Sequence, residues 1–166
     1  SSIMIKAKDG KGIGTYAEAL TMLEIGGEAA YDEIIAGHRR NSRNRMPIVP
    51  AVDEATEEQV YSGGDIYGKG SFFMHSLRYV IGDEIFFPTL KKLATDTRYT
   101  YDNFVTTTDV EQLFSNASNK NLKPFFDFYL RTTKILDITI KEVGFQKFQN
   151  KVNNLFMDLT NDIMEN

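Results

Sequence analysis

The sequence predicts a mainly α-helical fold over residues 12–133, followed by about three β-strands over residues 134–166. Two observations lead to this prediction. Apolar residues recur at helical spacing through most of the chain, and glycine or proline separates the periodic runs. After residue 133 the spacing changes to alternation, which is typical of a half-buried strand. Because so few strands leave exposed edges and seldom fold alone, we expect this segment to be the truncated start of a β-sandwich-like domain.

Two helices and a long connection are predicted in the first part of the chain. The first helix covers residues 13–25 and ends at Gly26-Gly27, because a glycine pair weakens a helix and permits a turn. The second helix covers residues 28–41 and has basic residues at its C-terminal end, which suit the helix dipole. Residues 46–64 contain prolines and a Gly-Gly pair, so we expect a long connection that lines a cleft.

Capping signals divide the middle of the chain into further helices. Asp83 follows Gly82 and can cap a helix, and Thr108 and Glu111 have the spacing of a capping box. Pro124 suits a first helical turn, and the aromatic residues that follow it predict a buried helix. The predicted helices cover residues 67–81, 84–96, 109–115 and a segment that starts near residue 124.

The C-terminal segment is predicted to be β. Leu136, Ile138 and Ile140 alternate with polar residues, so one face of a strand would be apolar. Residues 145–153 and 156–163 are interpreted as two further strands that an Asn-Asn turn joins.

The composition is that of a globular protein without a nucleic-acid partner. Of the 166 residues, 42% are apolar and 25% are charged, and the formal net charge is −4. This negative balance opposes phosphate binding, so the basic run at residues 38–45 is interpreted as a solvated helix end. The absence of cysteine excludes disulfides, thiolate zinc sites and cysteine nucleophiles. No apolar run is long enough for a membrane span, the first residues are too polar for a signal peptide, and the compartment stays unknown.

The most informative segment is Asp65-Ile66-Tyr67-Gly68-Lys69-Gly70-Ser71, which precedes an apolar helical run. Its glycines let the backbone turn and approach other groups closely, so Tyr67 is predicted at a helix start with its phenol in a cleft. The segment resembles the Tyr-x-Lys-Gly-Ala element of zinc aminopeptidases of the aminopeptidase N family, the gluzincins. Further segments are similar to other elements of that family in the same order: residues 12–20, 65–83, 101–104 and 121–126.

The resemblance implies a fold, an activity and partners. The chain would be the helical C-terminal half of a thermolysin-like catalytic domain, followed by the start of a β-domain. Its partners would be a peptide substrate and the missing N-terminal half of the catalytic domain. In that family a zinc ion polarises the scissile carbonyl, and the tyrosine donates a hydrogen bond to the oxyanion. Tyr67 is thereby the candidate catalytic residue of a metalloaminopeptidase; the alternative is a half-buried tyrosine with a satisfied hydroxyl.

Two departures from the family concern the metal site. The family binds zinc through the histidines of H-E-x-x-H and a downstream glutamate. The chain's two histidines, His38 and His75, do not form this pattern, so the motif is expected N-terminal to this fragment. Lys11 occupies the slot of the glutamate, and an ammonium cannot replace a carboxylate as a ligand. Residues 1–11 are interpreted as a possible tag or non-native junction, and we expect zinc only in the full-length parent and an inactive fragment.

Other residues near the predicted site have candidate roles. Glu18 resembles a family carboxylate that orients a metal ligand, and it is equally a candidate for a solvated residue. Lys69 is expected to have a structural role, pairing with a carboxylate or a carbonyl. His38 is interpreted as an exposed residue at a helix end, and His75 as a core or surface histidine.

A function from another class stays open. The chain could be a non-catalytic helical module, related to the peptidase fold, that binds peptides or other partners. Lys11 and the small number of histidines favour this alternative. An upstream H-E-x-x-H in the native gene would favour the peptidase. No fixed-period repeat supports a helical-repeat scaffold.

Overall fold

The computed structural model describes residues 11–42, 65–96, 106–132, 134–136 and 143–165, with the side chains of 11–13, 65–67 and 162–165 outside the description. Within these ranges the chain is mainly α-helical, as predicted, and they contain no strand. Residues 1–10 of the predicted junction at 1–11, the connection at 46–64 and the family-like segment at 101–104 lie outside the described residues. The helices are α1 (Lys11–Asn41), α2 (Asp65–Ile81), α3 (Asp83–Thr95), α4 (Thr107–Ser118), α5 (Lys123–Leu130) and α6 (Phe145–Glu165).

Helix α1 is a hairpin of two helical arms, which confirms the break predicted at Gly26-Gly27. Gly27 has φ 75° and ψ −172°, a conformation that residues with a side chain rarely adopt. The hydroxyls of Tyr16 and Tyr31 lie 2.9 Å apart, whereas in a straight helix this separation along the chain would span roughly 22 Å. The arm before Gly27 therefore folds back onto the arm after it.

Helix α2 is the central helix of the described fold. All its residues from Gly68 to Arg78 are buried, because the hairpin, α3, α5 and α6 all pack against it. It runs antiparallel to the second arm of α1: Gly68 lies against the backbone of His38, and Arg78 bonds Glu28. The helix ends at Ile81 as predicted, and Gly82 follows with φ 83°.

The caps of the next two helices differ from the prediction. Asp83 is the first residue of α3 rather than its cap, and its carboxylate accepts hydrogen bonds from Arg78. Helix α4 begins with a capping box of Thr106 and Asp109, two residues before the one predicted from Thr108. That prediction was wrong because the Ser/Thr-x-x-acid spacing occurs twice in this segment and either pair could cap.

The core is aromatic and lies between α2 and α5. Pro124 is in the first turn of α5, as predicted, and most of that short helix is buried. The ring of Phe73 on α2 lies 4.8 Å from that of Phe126, with an interplanar angle of 78°. It also contacts the rings of Phe125 and Tyr129. Edge-to-face contacts of this kind add to the stabilisation from burial alone.

The two strands predicted over residues 145–153 and 156–163 are wrong, because Phe145–Glu165 forms the continuous helix α6. Phe148, Val152 and Phe156 recur every fourth residue, so they share one helical face. Phe148 and Val152 are fully buried in the same core as α2 and α5. Burial of this stripe stabilises the helix although its polar face is rich in asparagine.

The remaining strand and the domain boundary stay predictions. Leu136 is described and is not in a helix, while residues 137–142 lie outside the described ranges. The boundary at 133/134 and the truncated β-domain therefore stay predictions. Only residues 145–163 of the predicted β segment can be compared with the structure, and they are helical. None of the described helices combines the length and apolar character needed to cross a lipid bilayer.

Candidate functional site

The start of α2 lies directly on the last turn of α1. A Cβ atom at Gly68 would lie 2.6 Å from the backbone oxygen of His38 and 3.0 Å from Ser42 Oγ, so only glycine fits without movement. The Ser42 hydroxyl donates to the same His38 carbonyl at 2.9 Å. This close approach fixes where the first turn of α2, and with it Tyr67, sits on the hairpin.

A polar pair lies one turn further along this contact. His38 Nδ1 and Ser71 Oγ are 2.9 Å apart, and Ser71 is fully buried. His38 is half-buried rather than exposed as expected. Burial lowers the pKa of His38, and the exposed carboxylate of Glu18 opposes that shift. The charge of Glu18, on the first arm of α1, thus reaches His38, while His38 and Ser71 lie where α2 begins.

Tyr67 is the third residue of α2, at this same end. Its side chain is outside the described atoms, so its catalytic role stays a prediction. Lys11, in the predicted ligand slot, is the first residue of α1 and lies roughly 10 Å along that helix from Glu18.

Lys69 and Arg39 hold the segment after α5 against this end. Lys69 is fully buried, and its Nζ donates to the carbonyl of Thr132 at 2.8 Å. Arg39 Nε donates to the carbonyl of Leu136 at 2.8 Å. Lys69 and Arg39, from two helices, thereby hold Thr132 and Leu136 near the start of α2, which is a structural role for Lys69.

His75 is a core histidine in the middle of α2. Its Nδ1 is 2.7 Å from the hydroxyl of Tyr31, which in turn bonds Tyr16. Burial, assisted by Arg78, lowers the pKa of His75 to about 3, so the imidazole is neutral at pH 7. Aromatic rings surround it, including Phe148 with its ring centroid 5.2 Å away.

The described residues do not form a zinc site. They contain no group of three or more histidine, cysteine or carboxylate side chains placed to hold a metal ion. His75 is sealed in the core, and the Nδ1 atom of His38 is bonded to Ser71. We therefore assign no metal to these residues and no reaction step through one.

The contacts of Ser71 and Arg39 were not predicted from the sequence. Ser71 meets His38 from 33 positions away, and Arg39 meets Leu136 from 97 positions away. The motif Gly68-Lys69-Gly70-Ser71 was the one available signal, since two glycines in a helix indicate close backbone packing.

A surface cavity of about 420 Å³ lies elsewhere, between α3 and α4. Its lining combines Lys92 and Asp109 with the amides of Gln112 and Asn116. None of these residues belongs to α1 or α2, so the cavity is separate from the site around Tyr67.

No protein-family model, no curated protein and no solved structure matches this chain. The function must therefore be argued from the motifs of the sequence and from the contacts described above.

Proposed function

We propose that the chain is the helical C-terminal half of the catalytic domain of a zinc aminopeptidase of the aminopeptidase N family, with a thermolysin-like fold. One observation carries the proposal. Glu18 on the first arm of α1 and Gly68, the residue after Tyr67 on α2, both lie near His38: the Glu18 carboxylate opposes the lowering of the His38 pKa, and Gly68 packs against the His38 carbonyl. A peptidase needs its metal ligands and its oxyanion donor around one scissile bond.

Tyr67 would donate the hydrogen bond to the oxyanion. A phenol with an ordinary pKa near 10 is protonated at neutral pH, so it can donate without prior proton transfer. One preorganised donor of this kind lowers the barrier by about 3–4 kcal/mol in other enzymes. Lys69, bound to Thr132, would hold the first turn of α2 in place and so fix the direction of the phenol.

The zinc ion and the H-E-x-x-H helix would belong to protein N-terminal to this chain. When bound there, the metal would supply Lewis-acid polarisation of the scissile carbonyl. Glu18, exposed and close to His38, is placed to contact that missing half. The substrate would be the N-terminal part of a peptide, cleaved one residue at a time.

The alternative is a non-catalytic helical module that binds peptides. Lys11 in the ligand slot is the observation that favours it. A native gene that encodes Lys11 without an upstream H-E-x-x-H would favour this alternative over the peptidase.

The decisive experiment is Tyr67→Phe in the parent protein that carries the H-E-x-x-H segment. We expect kcat on aminoacyl-amide substrates to fall by about 100- to 1000-fold with little change in KM, because the lost hydrogen bond forms in the transition state. Tyr79→Phe, a change in a half-buried tyrosine near the other end of α2, is the matched control and should retain activity. The chain alone should show no chelator-sensitive turnover. An unchanged kcat in Tyr67→Phe would remove this residue from the mechanism.

A further inference from the structure

Arg78 is the centre of a charge cluster at the end of α2 that is remote from its first turn. Its Nε and Nη2 donate to the two carboxylate oxygens of Asp83 at 2.7 and 3.0 Å. Nη2 also donates to Glu28 Oε1 at 3.2 Å. Arg78 is almost fully buried. The charge cluster consists of Glu28 and Asp32 on α1, Arg78 on α2 and Asp83 on α3.

Asp32 is the carboxyl group of the cluster that Arg78 does not bind. Its Oδ1 atom is excluded from water and accepts no hydrogen bond from the described residues. Arg78 Nη1 is also buried without an acceptor among them. The ion pairs of the guanidinium go to Glu28 and Asp83 instead. Three carboxyl groups thus share one cation, and the third is left without a close counter-charge.

A negative charge on Asp32 is unfavourable in this position. Its buried oxygen would lose hydration without gaining a donor, and Glu28 lies one helical turn away on the same face of α1. A bound proton removes both penalties, because the neutral carboxyl group is cheaper to bury and is not repelled by Glu28. Burial, and after it the charge of Glu28, raise the pKa of Asp32, Arg78 opposes both effects, and the resulting pKa is about 6.

We propose that Asp32 is a pH-sensitive carboxyl group of the charge cluster, which takes up a proton when the chain folds. The other charged or titratable groups of its surroundings are Glu28 on α1, Arg78 and Tyr79 on α2, and Asp83 on α3. Burial raises the pKa of Tyr79, so its phenol stays neutral. This proton uptake is independent of the proposed peptidase function.

The direction of the pH dependence follows from the two states of Asp32. Its pKa in the folded chain is about 6, against an ordinary value of 3.8. The folded state therefore binds this proton more tightly than the unfolded state does. The contribution of Asp32 to stability is fully present below pH 3.8 and is lost as the pH rises through about 6.

The experiment is thermal unfolding of the whole chain at about pH 4.5 and about pH 7.5, for wild type and Asp32→Asn. Asparagine mimics the neutral carboxyl group at every pH. We expect Asp32→Asn to melt a few degrees above wild type at the higher pH and by a clearly smaller margin at the lower pH, where wild-type Asp32 is largely protonated in the folded chain. Asp158→Asn, a change in an exposed aspartate on α6, is the matched control and should follow wild type at both. The pKa values of Glu111 and His38 are also shifted in the folded chain, but their effect on melting is the same in variant and wild type, so it is absent from the difference between them.

A second measurement uses only the wild-type chain, so it tests the proposal even if Asp32→Asn does not fold. The ¹³C shift of the Asp32 carboxyl carbon in the wild-type chain should titrate with a midpoint near 6. A midpoint near the ordinary value of 3.8 would overturn the proposal. So would a melting difference between wild type and Asp32→Asn that is the same at both pH values.

Discussion

At the residue scale, Gly68 is the position where the first turn of α2 contacts the last turn of α1. A methyl group there would lie 2.6 Å from the carbonyl oxygen of His38, a backbone atom that cannot rotate away. We expect Gly68→Ala to lower the free energy of unfolding by about 1–3 kcal/mol, because α2 must shift away from α1. Chemical denaturation followed by circular dichroism measures this change.

Gly14 provides the matched control for Gly68, since it is also a helical glycine and a Cβ there meets nothing within 4 Å. Gly14→Ala should raise the free energy of unfolding by roughly 0.5–1 kcal/mol, because alanine is the better helix former. If both substitutions had the same effect, close packing at Gly68 would not be the reason for its glycine.

Part of the site could be predicted from single residues and part could not. The Tyr67-to-Ser71 motif indicated a helix start with close backbone packing, and the structure has that helix start. That Lys69 binds a carbonyl agrees with the expectation from its residue type, because a buried ammonium needs a hydrogen-bond acceptor. Local sequence patterns do not show which carbonyl Lys69 binds, because that depends on where α5 packs. They also do not show that His38 contacts Ser71, because that depends on how the α1 hairpin packs against α2.

At the element scale, the first turn of α4 depends on Thr106. Its hydroxyl accepts from the amide of Asp109 at 3.0 Å, and the Asp109 carboxylate accepts from the amide of Thr106 at 2.9 Å. We expect Thr106→Ala to lower the free energy of unfolding by about 1 kcal/mol, because an amide of the first turn loses its acceptor.

Thr108 is the control for this cap, because the sequence analysis predicted Thr108 rather than Thr106 as the capping residue. It is exposed and lies inside the first turn of α4. Thr108→Ala should leave stability unchanged or raise it by ~0.5 kcal/mol. Equal losses in the two variants, measured by urea denaturation, would contradict the observed capping box.

The helices differ in how well the sequence predicted them. Helices α2 and α5 were predicted because a long apolar run and a proline mark them, and Gly82 ends α2. Helix α6 was interpreted as strands because its many asparagines are poor helix formers and the pair Asn153-Asn154 suggested a turn. The stripe of Phe148, Val152 and Phe156 carried the opposite signal, and packing against α2 and α5 decides in its favour.

At the scale of the whole molecule, α6 is held to the fold mainly by its first half. Phe148 is fully buried and its ring contacts those of Phe72, His75 and Tyr79. We expect Phe148→Ala to lower the free energy of unfolding by about 3–5 kcal/mol, because it opens a cavity between α6 and α2. Thermal and chemical unfolding of the whole chain measure the loss.

Phe145 is the control on the same helix, since 58% of it is exposed. Phe145→Ala should lower the free energy of unfolding by only about 1 kcal/mol. A loss in Phe148→Ala no larger than this would mean that α6 contributes little to the common core.

The bond from Lys69 to Thr132 has a consequence for how the chain is made. The ribosome synthesises a chain from its N-terminus to its C-terminus, and Lys69 and Thr132 are 63 positions apart. At synthesis rates of about 5–20 residues per second, the ammonium of Lys69 emerges roughly 3–13 seconds before the carbonyl it binds. The interval between the synthesis of Arg39 and that of its partner Leu136 is longer, because these residues are 97 positions apart. The hairpin and the central helix can therefore be formed early, but the end that carries Tyr67 is completed only when the segment with Thr132 and Leu136 has been synthesised.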